Sequence, residues 1–270
     1  MKFIHVTDPH IVKPGKTLFG LDVHERLAKC IESINANHAD AEFCIWTGDI
    51  VHWGDHDSYH HFRDAVSALA MRSHLVMGNH DKRESLLDVF PDTPVDANGF
   101  VQYALDVSEG RFLILDTVQT GTHSGELCDA RLDWFEAQLE AATDRNVYIF
   151  MHHPPMRVGM VGMDSMRLTG VDRFVEAVTG RDNIQHLFCG HLHRPIHGSW
   201  RGIPFSTLRA TSHAFKLSLG PDYELVTTQE NPGYAVVLVK DGATVIHDHS
   251  YLEEGPEFEY KRKSKDSGQD

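Results

Sequence analysis

A chain of 270 residues with 41% hydrophobic content is long enough to bury one large α/β domain, and no composition break in its first 250 residues asks for a linker. A formal charge of −14 and a pI near 5.7 exclude a broad nucleic-acid-binding face, which needs clustered Lys and Arg, but leave room for a small anion at a local site. The start, Met1 to Asp8, turns polar too early for a secretory leader, and no apolar run approaches a membrane span. Four scattered cysteines include no Cys-x-x-Cys pair, so a cytoplasmic protein with reduced thiols and no transmembrane segment is expected. Histidine is the outlier, with 20 copies.

Residues 2–7 read as a buried strand followed at once by Asp8-Pro9-His10. In extended backbone, residues two apart share a face, so Asp8 and His10 can address one point, although an Asx-stabilised turn would use the same residues. Asp22 is placed to cap a helix reaching about residue 37, whose apolar positions Val23, Leu27, Cys30, Ile31 and Ile34 keep helical spacing. Residues 42–46 form a second short strand ending in Thr47-Gly48-Asp49. Residues 57–70 read as a helix with Phe62, Ala65, Val66 and Leu69 inward and His56, His60 and His61 on or near its solvated side.

The strand 73–77 leads into Gly78-Asn79-His80-Asp81. A helix over 82–90 is broken by Pro91 and Pro94, then 100–105 and 111–115 read as paired strands opening a second sheet. Residues 117–125 are a polar loop, and 129–142 a helix presenting Leu132, Phe135 and Leu139. The strand 146–151 ends in His152-His153-Pro154-Pro155. The loop 156–168 carries Met156, Met160, Met163 and Met166, as core fillers or as the flexible apolar rim of a pocket. After a helix over 171–178, the strand 184–189 ends in Gly190-His191-Leu192-His193, the sharpest local metal signal in the chain. Hairpins follow at 196–207 and 234–249. Residues 211–233 show no pattern and suit a cap or an oligomer contact, and 252–270 read as a charged, disordered tail.

Five strands thus end in Asp-x-His, Gly-Asp, Gly-Asn-His-Asp, His-His and Gly-His-x-His. This ordered set resembles the calcineurin-like metallophosphoesterases over residues 2 to about 207. The resemblance implies a four-layer αββα sandwich, two mixed β-sheets flanked by helices, with a two-metal site at one edge. It implies one ion on Asp8, His10, Asp49 and His193 and a second on Asp49, Asn79, His152 and His191, with Asp49 shared. His80 would contact the phosphate or protonate the leaving oxygen, Asp81 would orient it, and His153 would stand behind the ligands near the substrate. The ions could be Fe, Mn, Co or Zn, and a water they share would attack phosphorus.

The protein phosphatases of this superfamily carry an arginine after the Gly-Asp motif, where this chain has His52-Trp53. The missing clamp favours a diester over a dianionic monoester. The Tyr59-containing helix and Ser206-Thr207-Leu208 with His213 look like the bacterial glycerophosphodiesterase and class III cyclic-nucleotide phosphodiesterase branch. Phospholipase C enzymes of the rhizobial type also look similar. The expected substrate is therefore a small phosphodiester or a phospholipid headgroup, with His213, Met156 and Met160 at the substrate and a homo-oligomer as the assembly. A phosphomonoesterase, or a noncatalytic scaffold on the same fold, is the alternative.

Overall fold

The computed structural model describes residues 1–220 and 225–252, so the expected tail lies outside it apart from Leu252. The chain runs β1 (Lys2–Val6), α1 (Val23–His38), β2 (Phe43–Thr47), α2 (His56–Val66), β3 (Arg72–Val76) and α3 (Arg83–Val89). It continues through β4 (Tyr103–Val107), β5 (Gly110–Ile114), β6 (Gly125–Glu126), α4 (Asp129–Glu140), β7 (Val147–Met151), α5 (Val161–Asp164), β8 (Leu168–Thr169) and α6 (Asp172–Val178). The remainder is β9 (Ile184–Cys189), β10 (Ile196–Trp200), β11 (Ile203–Thr207), β12 (Ala214–Phe215), β13 (Thr227–Thr228), β14 (Gly233–Lys240) and β15 (Ala243–Ser250).

Two mixed sheets carry the fold, with strand orders β15-β14-β1-β2-β3 and β10-β11-β9-β7-β5-β4. The strands β1, β2 and β3 are parallel neighbours, as are β5, β7 and β9. Buried on both faces, such strands must be near-continuous apolar runs, and β2 and β7 are buried at every position. The sheets meet through aromatic side chains: the Phe3 ring lies 5.3 Å from Phe112, 5.9 Å from Phe150 and 5.7 Å from Phe188. The helices α1 and α2 cover the outer face of the first sheet, and α4 and α6 that of the second, which gives the four expected layers.

Local chemistry sets the element ends. Asp22 caps α1 by accepting from the backbone N–H groups of His24 and Glu25, both at 3.0 Å, and all five apolar positions named above are buried. The helix α2 stops at Val66 rather than 70 because Asn35 takes over the backbone there, donating to the Ala68 carbonyl and accepting from Ala70 N–H. The strand expected over 100–105 starts only at Tyr103. Asp96 holds 96–102 in a turn by accepting from Asn98 N–H, Phe100 N–H and Gln102 Nε2, while Arg83 and Arg131 lie over the Phe100 ring. The patternless region contains the small antiparallel ribbon β12–β13.

Because Phe3 is fully buried at the junction of both sheets, Phe3→Ala should destabilise the protein by about 3–5 kcal/mol. Urea unfolding of the two proteins measures this directly.

Candidate metal centre

Chemistry collects where the carboxyl ends of the parallel strands from both sheets meet, the usual crevice of an α/β fold. The backbone there is unusual. Asp8, His10, Asp49, His191 and His193 all have positive φ, between 46° and 70°, a region costly for residues with a Cβ. The loops also touch: a Cβ on Gly78 would sit 2.1 Å from the Asp49 amide nitrogen, and one on Gly190 would sit 2.4 Å from the Thr47 carbonyl. Glycine at these points lets three strand ends close on one another.

The side chains converge in two sets. In the first, Asp8, His10, Asp49 and His193 have donor atoms within 4.8 Å of one another, and all are buried. His10 Nε2 lies 3.2 Å from His193 Nε2 and 3.4 Å from Asp49 Oδ2, and His193 Nε2 lies 3.3 Å from Asp8 Oδ1. In the second, Asp49 Oδ2 is 3.4 Å from His152 Nε2, which is 3.1 Å from Asn79 Oδ1. The His191 ring lies 5.1 Å from that of His152, and its buried Nε2 has no hydrogen-bond partner. Asp49 Oδ2 is thus equidistant from a histidine of each set.

The outer contacts turn these nitrogens inward. His152 Nδ1 donates to the Thr47 carbonyl at 2.8 Å, and His193 Nδ1 donates to the His213 carbonyl at 2.8 Å, which turns each Nε2 toward the cluster. Asn79 is held by His123, whose Nδ1 accepts from Nδ2 at 2.9 Å, so Oδ1 faces His152. An orphaned imidazole nitrogen, two imidazole nitrogens facing each other and two buried carboxylates form a donor set that fits two divalent cations.

Electrostatics agree with this fit. Burial would raise the Asp49 carboxyl, but His152, His80 and His10 hold it well below its usual range. Burial would lower His152, yet Asp49 and Asp8 push it up to about 9. Burial, with His193 and His52, lowers His213 to about 2, so its ring is neutral.

Other expected site residues fall differently. His153 crowds His152 and His191, but its Nδ1 accepts from the Thr117 hydroxyl at 2.7 Å and its Nε2 donates to the His123 carbonyl at 3.1 Å. No lone pair is left for a cation, and the ring is absent from the cavity wall. Asp81 does not touch the His80 ring. It accepts from the backbone N–H groups of Gly78, Ile50 and Val51 and from the Tyr59 hydroxyl, tying two strand-end loops together, and burial with the nearby Asp49 raises it to about 7. The His80 ring is held instead by the His52 carbonyl, 2.9 Å from Nδ1. His80 N–H donates to Asp49 Oδ1 at 2.8 Å.

A cavity of about 240 Å³ opens over both sets. His213 lines it, whereas Met156 and Met160 do not: Met156 packs into the core beneath the second sheet and Met160 against Met163 and Leu192. The short helix α5 turns Met163 inward, and Met163 and Met166 join Phe19, Phe215 and Leu225 in the wall. His52 and His123, also in the wall, went unassigned from sequence; His123 lies in a polar loop with no local mark of its role.

Comparison with known proteins accords with this geometry. A family profile described as calcineurin-like phosphoesterase matches residues 1–195. The chain is 41% identical over 261 residues to a probable cyclic nucleotide phosphodiesterase of Rhodopseudomonas palustris, covering 96% of this chain and 95% of that one. It is 30% identical over 268 residues to a probable glycerophosphodiester phosphodiesterase of Arcobacter nitrofigilis, covering 97% and 98%. In fold it is similar to a dimetal phosphatase from Danio rerio, with a TM-score of 0.71 at 13% identity and 94% and 97% coverage.

A cation can bind His152 only after displacing the proton held there below pH about 9, so uptake should release protons and tighten as pH rises toward 9. Calorimetric Mn²⁺ titrations at pH 7 and pH 9.5, in buffers of different ionisation enthalpy, measure both effects. Proton-independent binding at pH 7 would contradict the assignment of His152 as a ligand.

Proposed function

The chain belongs to the calcineurin-like phosphoesterase family, and from that premise we propose that it is a two-metal phosphodiesterase acting on a small diester. One observation carries this reading: Asp49 Oδ2, at the cavity, lies 3.4 Å from His10 of the Asp8, His10, Asp49 and His193 cluster and 3.4 Å from His152 of the neighbouring histidine cluster. A noncatalytic scaffold would have no need of a buried, unpartnered His191 Nε2 aimed at such a cluster.

We assign one ion to Asp8, His10, Asp49 and His193 and the other to Asp49, Asn79, His152 and His191. Cations bound there would supply Lewis acidity toward the phosphate oxygens and would acidify a bound water. The Asp, His and Asn donors suit Fe, Mn, Co and Zn alike. His80 sits in the cavity wall with its Nδ1–H fixed on the His52 carbonyl. As the imidazolium it can pass its Nε2 proton to the departing oxygen, and as the neutral ring it accepts one back.

Substrate charge follows from the wall. No Arg or Lys lines the cavity among the described residues, so a dianionic monoester would lack the bidentate partner that such groups use. A diester carries one charge fewer. The relatives named as cyclic nucleotide and glycerophosphodiester phosphodiesterases support the same choice.

A phospholipid headgroup is the second reading. It is favoured by apolar side chains exposed around the cavity-lining ribbon, Leu217 at 53% and Leu219 at 65%. The same leucines suit a contact between copies, which supports a homo-oligomer. Among the described residues no helix is long and apolar enough to cross a membrane. We read residues 1–251 as one catalytic unit working in the cytoplasm.

With added Mn²⁺ or Co²⁺ the protein should hydrolyse bis(p-nitrophenyl) phosphate faster than p-nitrophenyl phosphate; metal-loaded protein inert toward the diester would sink the proposal. A panel of cyclic nucleotides, glycerophosphodiesters and phosphatidylcholine separates the two substrate readings. For His80→Ala, kcat should fall by roughly 10²–10⁴-fold with poor leaving groups and less with p-nitrophenolate, at unchanged metal content. Equal losses across the leaving-group series would remove the acid role.

A further inference from the structure

Metal-ligating histidines are held by a partner on their other ring nitrogen. For His152 and His193 that partner is a backbone carbonyl, which can only accept. His10 is different: its Nδ1 lies 3.1 Å from Nδ1 of the His52 ring. Two facing imidazole nitrogens share one proton. For His10 to present the lone pair of Nε2 to a cation held with Asp8, Asp49 and His193, that proton must be its own, so His10 Nδ1 donates and His52 Nδ1 accepts. The tautomer of one ring fixes that of the other.

The same residue also holds His80, and in two ways. Its carbonyl accepts from His80 Nδ1 at 2.9 Å, and its ring stacks on the His80 ring with centroids 4.7 Å apart and planes at 20°. Trp53 packs edge-on against the His52 ring at 4.2 Å and closes its outer side. The His52 ring therefore contacts a residue of the first donor set through an edge and the candidate proton donor through a face.

We propose that His52 is a positioning residue that couples the two: its Nδ1 sets His10 for the first cation, and its ring face sets His80 for the leaving oxygen. The second half rests on the two-metal phosphodiesterase reading, whereas the first concerns cation binding alone. The identity of the side chain at position 52 then matters beyond the absence of an arginine there.

Three substitutions separate the functions. His52→Asn places an amide oxygen near the position of Nδ1 but has no ring, His52→Gln shifts the amide to the position of Nε2, and His52→Phe keeps the ring face without an acceptor. Titration with Mn²⁺, followed by metal analysis and calorimetry, should leave His52→Asn near wild type at the site formed by Asp8, His10, Asp49 and His193. His52→Gln and His52→Phe should lose roughly 10–100-fold in affinity there. With metal saturating, the dependence of kcat on leaving-group pKa should stay near wild type in His52→Phe and steepen in His52→Asn and His52→Gln.

Equal metal affinity in His52→Asn and His52→Gln would overturn the role toward His10. Equal leaving-group dependence in His52→Asn and His52→Phe would overturn the role toward His80. Thermal melting identifies any variant that fails to fold; should His52→Phe do so, the Asn and Gln pair still decides the first role, and His52→Tyr replaces it for the second. Were the wild-type protein inert toward diesters, the functional reading would fail while the metal titrations still judged the contact with His10.

Discussion

The fold depends on bringing strand ends from two separate sheets into contact while five polar residues sit in left-handed backbone conformations. Each such residue costs on the order of 1–3 kcal/mol, and the five lie at three neighbouring strand ends. That cost must be offset elsewhere. The packed aromatic seam of Phe3, Phe112, Phe150 and Phe188 between the sheets contributes to that offset by fixing the two sheets relative to each other. Rigid strands then present strained ends, and the strain aims side chains inward.

Charge adds a second constraint. Asp8 and Asp49 are fully or almost fully buried, and carboxylates in such a place need compensation. Compensation comes from the neighbouring His152, from the His191 and His80 backbone N–H groups and from the Thr7 hydroxyl. The centre is thus already organised as a receptor for positive charge. Cations bound there would reverse the local field of an acidic protein and draw an anionic substrate to the cavity.

Much of this was legible in the sequence because doubly buried strands are plain apolar runs, and the polar residues that end them stand out. The ordering of five such ends carried the fold and named side chains that the structure brings together around Asp49. What stayed hidden depends on turns. Asp81 follows His80 in the chain, and adjacency suggested contact, but the turn folds its carboxylate back onto the N–H groups of Ile50 and Val51. The methionine loop was visible as composition, whereas the choice of Met163 and Met166 for the cavity depends on a four-residue helix too short to leave a period. Strands of two residues, as in β12 and β13, have no alternation to read, and the pairing of His52 with His10 spans 42 positions.

The cavity has two kinds of wall. Its floor is built from strand ends locked into the central sheets, but part of its side wall, Phe215, Leu225 and Thr227, comes from the β12–β13 segment, anchored to the body by Arg26 on the Ser212 and Glu230 carbonyls and by the Arg194–Glu230 ion pair. The reactive floor and this selective wall therefore belong to different parts of the chain. Substitutions in the ribbon can therefore reshape this wall of the cavity without moving the strand ends that carry the candidate donors.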